Sequence, residues 1–127
     1  MTTNVAIIGL GIMGTRMLQH MRKHKEFNPN YLWDPSPIAC EKAIKQDSES
    51  KIMKNADEAI EKADLVYLAC PPTVRKTYAL KTVEMGKALF IEKPFGVNIQ
   101  DSKNLIEKLH NYDAVSYTHL TLPTIGC

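Results

Sequence analysis

The chain has 127 residues, 44% of them apolar and 24% charged, which suits one ordinary domain and is too little for two. Its 16 basic and 14 acidic residues leave a net charge of +2, too balanced for nucleic acid or an anionic membrane to be the main partner. Cys40, Cys70 and Cys127 are odd in number and widely spaced, with no C-x-x-C, which argues against a disulfide framework or a thiolate zinc site.

No apolar run approaches the roughly 18 residues of a bilayer span. The start, "MTTNVAIIGLGIMG", has no basic segment ahead of its apolar run, so it reads as a first strand rather than a signal peptide. Reduced thiols and no membrane segment fit a cytoplasmic protein. The strand "NVAIIGL" runs directly into Gly9-Leu10-Gly11-Ile12-Met13-Gly14, a G-x-G-x-x-G. In that pattern the first glycine permits a tight turn and the second lets a pyrophosphate approach the backbone. The third lets helix and strand pack closely. Free N–H groups and the helix dipole then hold the anion, so Gly9, Gly11, Ile12, Met13 and Gly14 are expected cofactor contacts.

A helix follows. Met13, Met17 and Met21 recur at helical period, and the cationic "RKHK" from Arg22 to Lys25 suits its negative end. His20 and His24 stand four apart on it, but no carboxylate or cysteine cluster supports a metal pair, and a solvated basic helix end is the preferred reading. The second strand, "NYLWD", closes on Asp34, 20 residues beyond Gly14. A carboxylate there accepts bonds from both ribose hydroxyls and repels a 2′-phosphate, which favours NAD over NADP. The plain alternative is a turn residue in the turn-rich string "DPSP".

"SKIM" and "DLVYLAC" read as the third and fourth strands, the latter ending in "ACPPT". Apolar runs without alternation indicate strands covered on both faces, and their alternation with helices indicates a doubly wound α/β fold with a parallel sheet. In such a sheet ligands lie beyond the carboxyl ends of the strands where strand order reverses, so Cys70, Pro71 and Pro72 are expected to line the cofactor cleft. No histidine in the segment is placed to activate Cys70 as a nucleophile.

The fifth strand, "KALFIE", ends in Glu92, Lys93 and Pro94. Charges at the end of a buried strand are poorly explained by packing. Lys93 would place an amine beside the nicotinamide, where partial desolvation lowers its pKa toward a range useful for proton transfer, and Pro94 would fix the backbone after it. A surface Lys–Glu pair on a loop is the plain alternative. Ile99, Ser102, Leu105, Ile106 and Leu109 then form one helical face, with Asn98 and Asp101 as a capping pair. The last thirteen residues, 115–127, carry no formal charge, and Val115 to Thr124 matches the translation of a transposon-type sequencing adapter. The expectation is therefore a dinucleotide-binding domain at 1–114 and a non-native tail at 115–127, rather than a sixth strand.

"GLGIMG", "WDPSP", "ACPPT" and "IEKPFG", in this order and spacing, resemble the amino-terminal half of the glucose–fructose oxidoreductase/inositol dehydrogenase (Gfo/Idh/MocA) family. The similarity runs over residues 3 to 113, and Glu-Lys-Pro is its most discriminating part. The resemblance implies a Rossmann domain truncated before a second α/β domain, which in the family supplies further catalytic residues, most of the substrate pocket and the oligomer interface. It implies hydride transfer between NAD and a sugar, polyol or related carbonyl substrate, with Lys93 assisting the proton and Glu92 and Pro94 in the same motif. Without the second domain the chain is expected not to turn over. One departure is Arg75, where the family commonly has histidine; an arginine suits an anionic substrate or simple solvation. Two alternatives stand beside this reading. "IGLGIMG" also resembles the first turn of 3-hydroxyacid dehydrogenases, which lack Glu-Lys-Pro, and a Rossmann fold can serve a non-catalytic nucleotide sensor.

Overall fold

The computed structural model describes residues 2–91 of the chain. The elements alternate strictly. β1 is Thr3–Ile8, α1 Ile12–Lys23, β2 Phe27–Trp33, α2 Pro37–Gln46 and β3 Lys51–Ile52. They are followed by α3 Ala56–Lys62, β4 Leu65–Leu68, α4 Pro72–Glu84 and β5 Ala88–Ile91. Every paired strand is parallel, and the order across the sheet is β3-β2-β1-β4-β5. This is the doubly wound α/β fold expected from the sequence. The chain leaves β1 toward β2 on one side and returns to β4 on the other, so strand order reverses at β1 and β4.

The uniformly apolar strands are explained by helices on both faces. On one face Val5, Ile7 and Leu32 meet Leu18 and Met21 of α1 and Ala43 of α2. On the other, Ala6, Ile8, Val66 and Leu89 meet Ile60 of α3 and Val83 of α4. Burying a side chain such as Ile7 or Leu18 completely contributes about 2 kcal/mol. The methionine stripe follows the same geometry: Met21 is buried, Met17 half-buried, and Met13 at the open end of α1 exposed.

Two elements differ from the sequence expectation. β2 starts at Phe27 rather than Asn30 and runs through Pro29. The register with β1 shifts between Asn4 and Ala6, and β3 pairs only with Tyr31 and Leu32. Pro29 therefore sits at an irregularity on a stretch with no β3 neighbour, where a missing N–H is tolerated. β3 itself is shorter than "SKIM", only Lys51 and Ile52.

At the amino-terminal edge of the sheet one side chain ties four segments together. Arg22, in the last turn of α1, donates from Nε to Asp47 Oδ2 at 2.7 Å and from Nη2 to the Pro29 carbonyl and Ser50 Oγ at 3.3 Å each. Ser50 Oγ donates in turn to the Pro29 carbonyl at 2.6 Å. The irregular strand is thus held by a charge-assisted network, an arrangement stronger than neutral bonds of the same length.

The helical face from Ile99 to Leu109, the Asn98/Asp101 pair, Cys127 and the tail 115–127 lie outside the described residues.

Candidate functional site

The carboxyl ends of β1, β2 and β4 converge on one short turn. Gly9 N–H donates to the Trp33 carbonyl at 2.9 Å, binding the end of β1 to the end of β2, and Ala69 N–H donates to the Ile8 carbonyl at 2.8 Å, binding β4 to β1. Gly9, Asp34 and Cys70 each follow one of these strand ends by one or two residues.

The three glycines have three different physical reasons. Gly9 has φ +103°, and a Cβ there would stand 2.7 Å from both Ala69 C and Cys70 N, so conformation and space both demand glycine. At Gly14 a Cβ would fall 1.8 Å from the Gly9 carbonyl oxygen, so α1 can close onto its own turn only because the side chain is missing. At Gly11 a Cβ would meet nothing within 4 Å. Its φ of −79° and ψ of −156° are open to any residue. Nothing within the described protein requires glycine at this position.

The helix starts around the turn differ in a consistent way. α2 is capped by Ser36, whose Oγ accepts from Ala39 N–H at 3.3 Å, and α3 by Asn55, whose Oδ1 accepts from Glu58 N–H at 2.8 Å. α1 and α4, which follow the two strands flanking the reversal, have no side-chain cap and no acidic residue in the first turn. The first-turn N–H groups of α1 and its positive dipole end therefore face the open position at Gly11, a fit for a phosphate. Ile12 is 75% exposed and Met13 46% exposed beside them.

Asp34 follows β2 and is half-buried. Its Oδ2 accepts from Leu10 N–H and its Oδ1 from Ser36 N–H, both at 2.7 Å. Two of about four lone-pair positions on the carboxylate are thereby used, and two remain for a ligand's hydroxyls. Sequence reasoning found the acid but not its bond into the glycine turn, which joins residues 24 apart and leaves no trace in local spacing.

The β4–α4 rim departs from expectation in two respects. Cys70 is 4% exposed and its side chain belongs to the core on the α3/α4 face, so only its backbone faces the glycine turn. Burial raises its thiol pKa, with the charge of Arg75 pulling the other way, so it is no ready nucleophile. Pro71 is exposed at the cap of α4, and Pro72 opens that helix. Arg75, expected to be solvated or aimed at an anion, is 9% exposed. Its Nε and Nη2 donate to the Cys70 carbonyl at 3.0 and 2.8 Å, pinning the turn that lies against Gly9. The spacing of five residues was visible in the sequence, but burial of the guanidinium was not.

Elsewhere, His20 and His24 are exposed, and His24 stacks edge-on with Phe27 at 6.0 Å. Among the described residues no group of histidine, cysteine or carboxylate side chains is arranged to hold a metal, and no helix is long and apolar enough to cross a membrane. Glu92, Lys93 and Pro94 lie outside the described residues; the last described residue before them is Ile91, paired with Leu68.

Residues 3–119 match the family GFO_IDH_MocA, described as an oxidoreductase family with an NAD-binding Rossmann fold. An uncharacterized oxidoreductase of Streptococcus pneumoniae is 26% identical over 103 residues, which are 80% of this chain and 27% of that protein. Among solved structures, myo-inositol dehydrogenase from Lactobacillus casei in complex with NAD(H) and myo-inositol superposes with a TM-score of 0.81 at 20% identity. The match covers 89% of this chain and 34% of that one. The scyllo-inositol dehydrogenase of the same organism, with bound NAD(H) and scyllo-inositol, gives 0.78 at 19% identity over 94% and 35%. The chain thus spans from about a quarter to just over a third of the length of these three relatives. It belongs to the Gfo/Idh/MocA oxidoreductase family, rather than to the 3-hydroxyacid dehydrogenases, and constitutes that family's NAD-binding Rossmann domain.

Proposed function

We propose that this domain binds NAD in preference to NADP and serves an oxidoreductase acting on a sugar, polyol or related carbonyl compound. The observation that carries the dinucleotide reading is Gly11. Gly9 and Gly14 are accounted for by contacts within the protein, whereas Gly11 meets open space in front of an uncapped helix start. That is the position at which a pyrophosphate must approach the backbone. Asp34 then receives the adenosine ribose with its two remaining acceptor positions, and its negative charge disfavours a 2′-phosphate.

Held by the glycine turn and Asp34, NAD would supply hydride transfer to or from a carbinol or carbonyl carbon. The chain's own contribution to that chemistry is assigned to Lys93. β5 ends at Ile91 in register with Leu68, so the carboxyl end of β5 lies on the side of the sheet where Gly9 and Cys70 follow their strands, and Lys93 comes two residues later in the sequence. Its amine takes the hydroxyl proton as hydride leaves the carbon and returns it in the reverse direction. Glu92 and Pro94 flank it in the same motif, and Pro71 and Pro72 stiffen the neighbouring rim. The polyol assignment is supported by the inositol dehydrogenases named above, whose structures hold NAD(H) and an inositol.

Calorimetric titration of the 127-residue chain with NAD and with NADP tests the binding half. Heat with NAD and at least tenfold weaker binding of NADP is expected; no heat with either coenzyme overturns the reading. For the chemical half, Lys93→Ala in a version joined to a complete second domain is expected to lose 100-fold or more of its rate on a polyol. Its affinity for NAD is expected to stay within a fewfold. A non-catalytic sensor would instead keep its response to nucleotide and show no rate to lose.

A further inference from the structure

The bond between Leu10 N–H and Asp34 Oδ2 gives the acid a second task. We infer that Asp34 is a positioning residue for the pyrophosphate turn, in addition to any contact with ribose; the inference rests on the dinucleotide reading above. Leu10 lies between Gly9 and Gly11, inside the segment that must stay in place for the backbone at Gly11 to meet a phosphate. Its amide is held by the carboxylate at 2.7 Å, and the other carboxylate oxygen is held by Ser36 N–H at the same distance. Ser36 caps α2, and the carboxylate joins the bond from Gly9 N–H to the Trp33 carbonyl in linking the glycine turn to the end of β2.

This makes the two halves of the coenzyme site depend on a single side chain. Two backbone donors converge on Asp34, and only a carboxylate offers an acceptor to each. The amide of an asparagine accepts with its oxygen but presents N–H groups where its nitrogen stands, so one backbone donor would face another donor. The turn loses a charge-assisted bond, and the phosphate then has to order a turn that was previously held. Exchanging this acid to admit a 2′-phosphate therefore weakens phosphate binding at the same time, for NAD and NADP alike. A pure ribose reader would instead trade one coenzyme for the other.

The test uses a ligand that has the phosphates and lacks the hydroxyls. Wild-type chain and Asp34→Asn are titrated with NAD and with 2′,3′-dideoxyadenosine 5′-diphosphate, and chemical denaturation establishes that the variant is folded. The expected result is a loss of about tenfold in affinity for the dideoxy compound, beside a larger loss for NAD. An unchanged or higher affinity for the dideoxy compound, with NAD weakened, overturns the positioning role and leaves the dinucleotide reading intact. A wild-type chain that binds neither NAD nor the diphosphate overturns the dinucleotide reading itself. Amide exchange by NMR on the ligand-free wild-type chain adds a readout that needs no variant. Leu10 is 3% exposed and its amide is expected to be protected; exchange at the rate of an open loop would refute the bond.

Discussion

Alanine placed at each of the three glycines should separate packing from ligand binding. Gly14→Ala puts a methyl 1.8 Å from the Gly9 carbonyl oxygen and 2.8 Å from its carbon, both main-chain atoms that cannot swing away. α1 has to lift by about 1 Å, loosening Leu18 and Met21 from the sheet, at a cost of about 3 kcal/mol. Gly9→Ala adds a side chain at φ +103° and presses it against Ala69 and Cys70, with a cost of about 2–3 kcal/mol. Gly11→Ala meets nothing and keeps an ordinary extended conformation. Its stability should be unchanged or higher by about 0.5 kcal/mol, because alanine has fewer unfolded conformations to lose. The same methyl stands at the position proposed for the phosphate, and weakening bonds to a charged group by about 1.5–3 kcal/mol is expected to reduce NAD affinity roughly 10- to 100-fold. Urea denaturation and calorimetry on the three variants give both axes. If Gly11→Ala binds NAD like the wild type, no phosphate approaches there. If Gly14→Ala unfolds at the wild-type midpoint, the close approach of α1 to its turn is refuted.

Two ion pairs should differ sharply in what they contribute. Arg22→Ala strands Asp47, whose side chain is only 8% exposed, and should cost about 2–3 kcal/mol by urea denaturation; Lys81→Ala removes an exposed 2.6 Å pair with Asp57 and should cost under about 0.5 kcal/mol. Asn55→Ala removes the cap of α3 and should cost about 1 kcal/mol, read in the same assay. Burial holds the Cys40 and Cys70 thiols, and the Tyr78 phenol, above their ordinary pKa values. The folded chain therefore keeps protons that the unfolded chain releases, so this stabilising contribution is complete below about pH 8.5 and declines as pH rises through the folded values. Denaturation midpoints should fall between pH 8 and 9.5 and fall less in a Cys40→Ala/Cys70→Ala double variant; equal slopes in both proteins would contradict the assignment.

The sheet, its parallel sense and the reversal at β1 and β4 were legible because each rests on local pattern: unbroken apolar runs, helical periods between them and one glycine turn. What was illegible depended on partners distant in sequence. The start of β2 was hidden because Pro29 reads as a strand breaker until Arg22 and Ser50 are seen to satisfy its carbonyl. Arg75 read as a surface cation because charge in the sequence says nothing about burial, yet its guanidinium sits beneath the β4–α4 turn. Cys70 was expected to line the cleft beyond β4; it follows that strand by two residues, and its side chain lies in the core on the α3/α4 face with Val66 and Leu68, which no local signal in the sequence distinguishes from the cleft side.

The distribution of caps carries this reasoning one step further. Ser36 and Asn55 show that the chain uses capping side chains where a helix start needs nothing else. At α1 and α4 it does without them, although a cap at either place would contribute about 1 kcal/mol. The stabilisation forgone lies on both sides of the strand reversal and nowhere else among the described helices. A side chain capping α1 would occupy the amides proposed for the phosphate, so on that reading stability and binding compete for the same donors. The fold resolves the competition by bracing the turn from behind instead, through Asp34 on Leu10 and Arg75 on the Cys70 carbonyl. The turn is thereby held in shape while its outward amides stay free for a ligand.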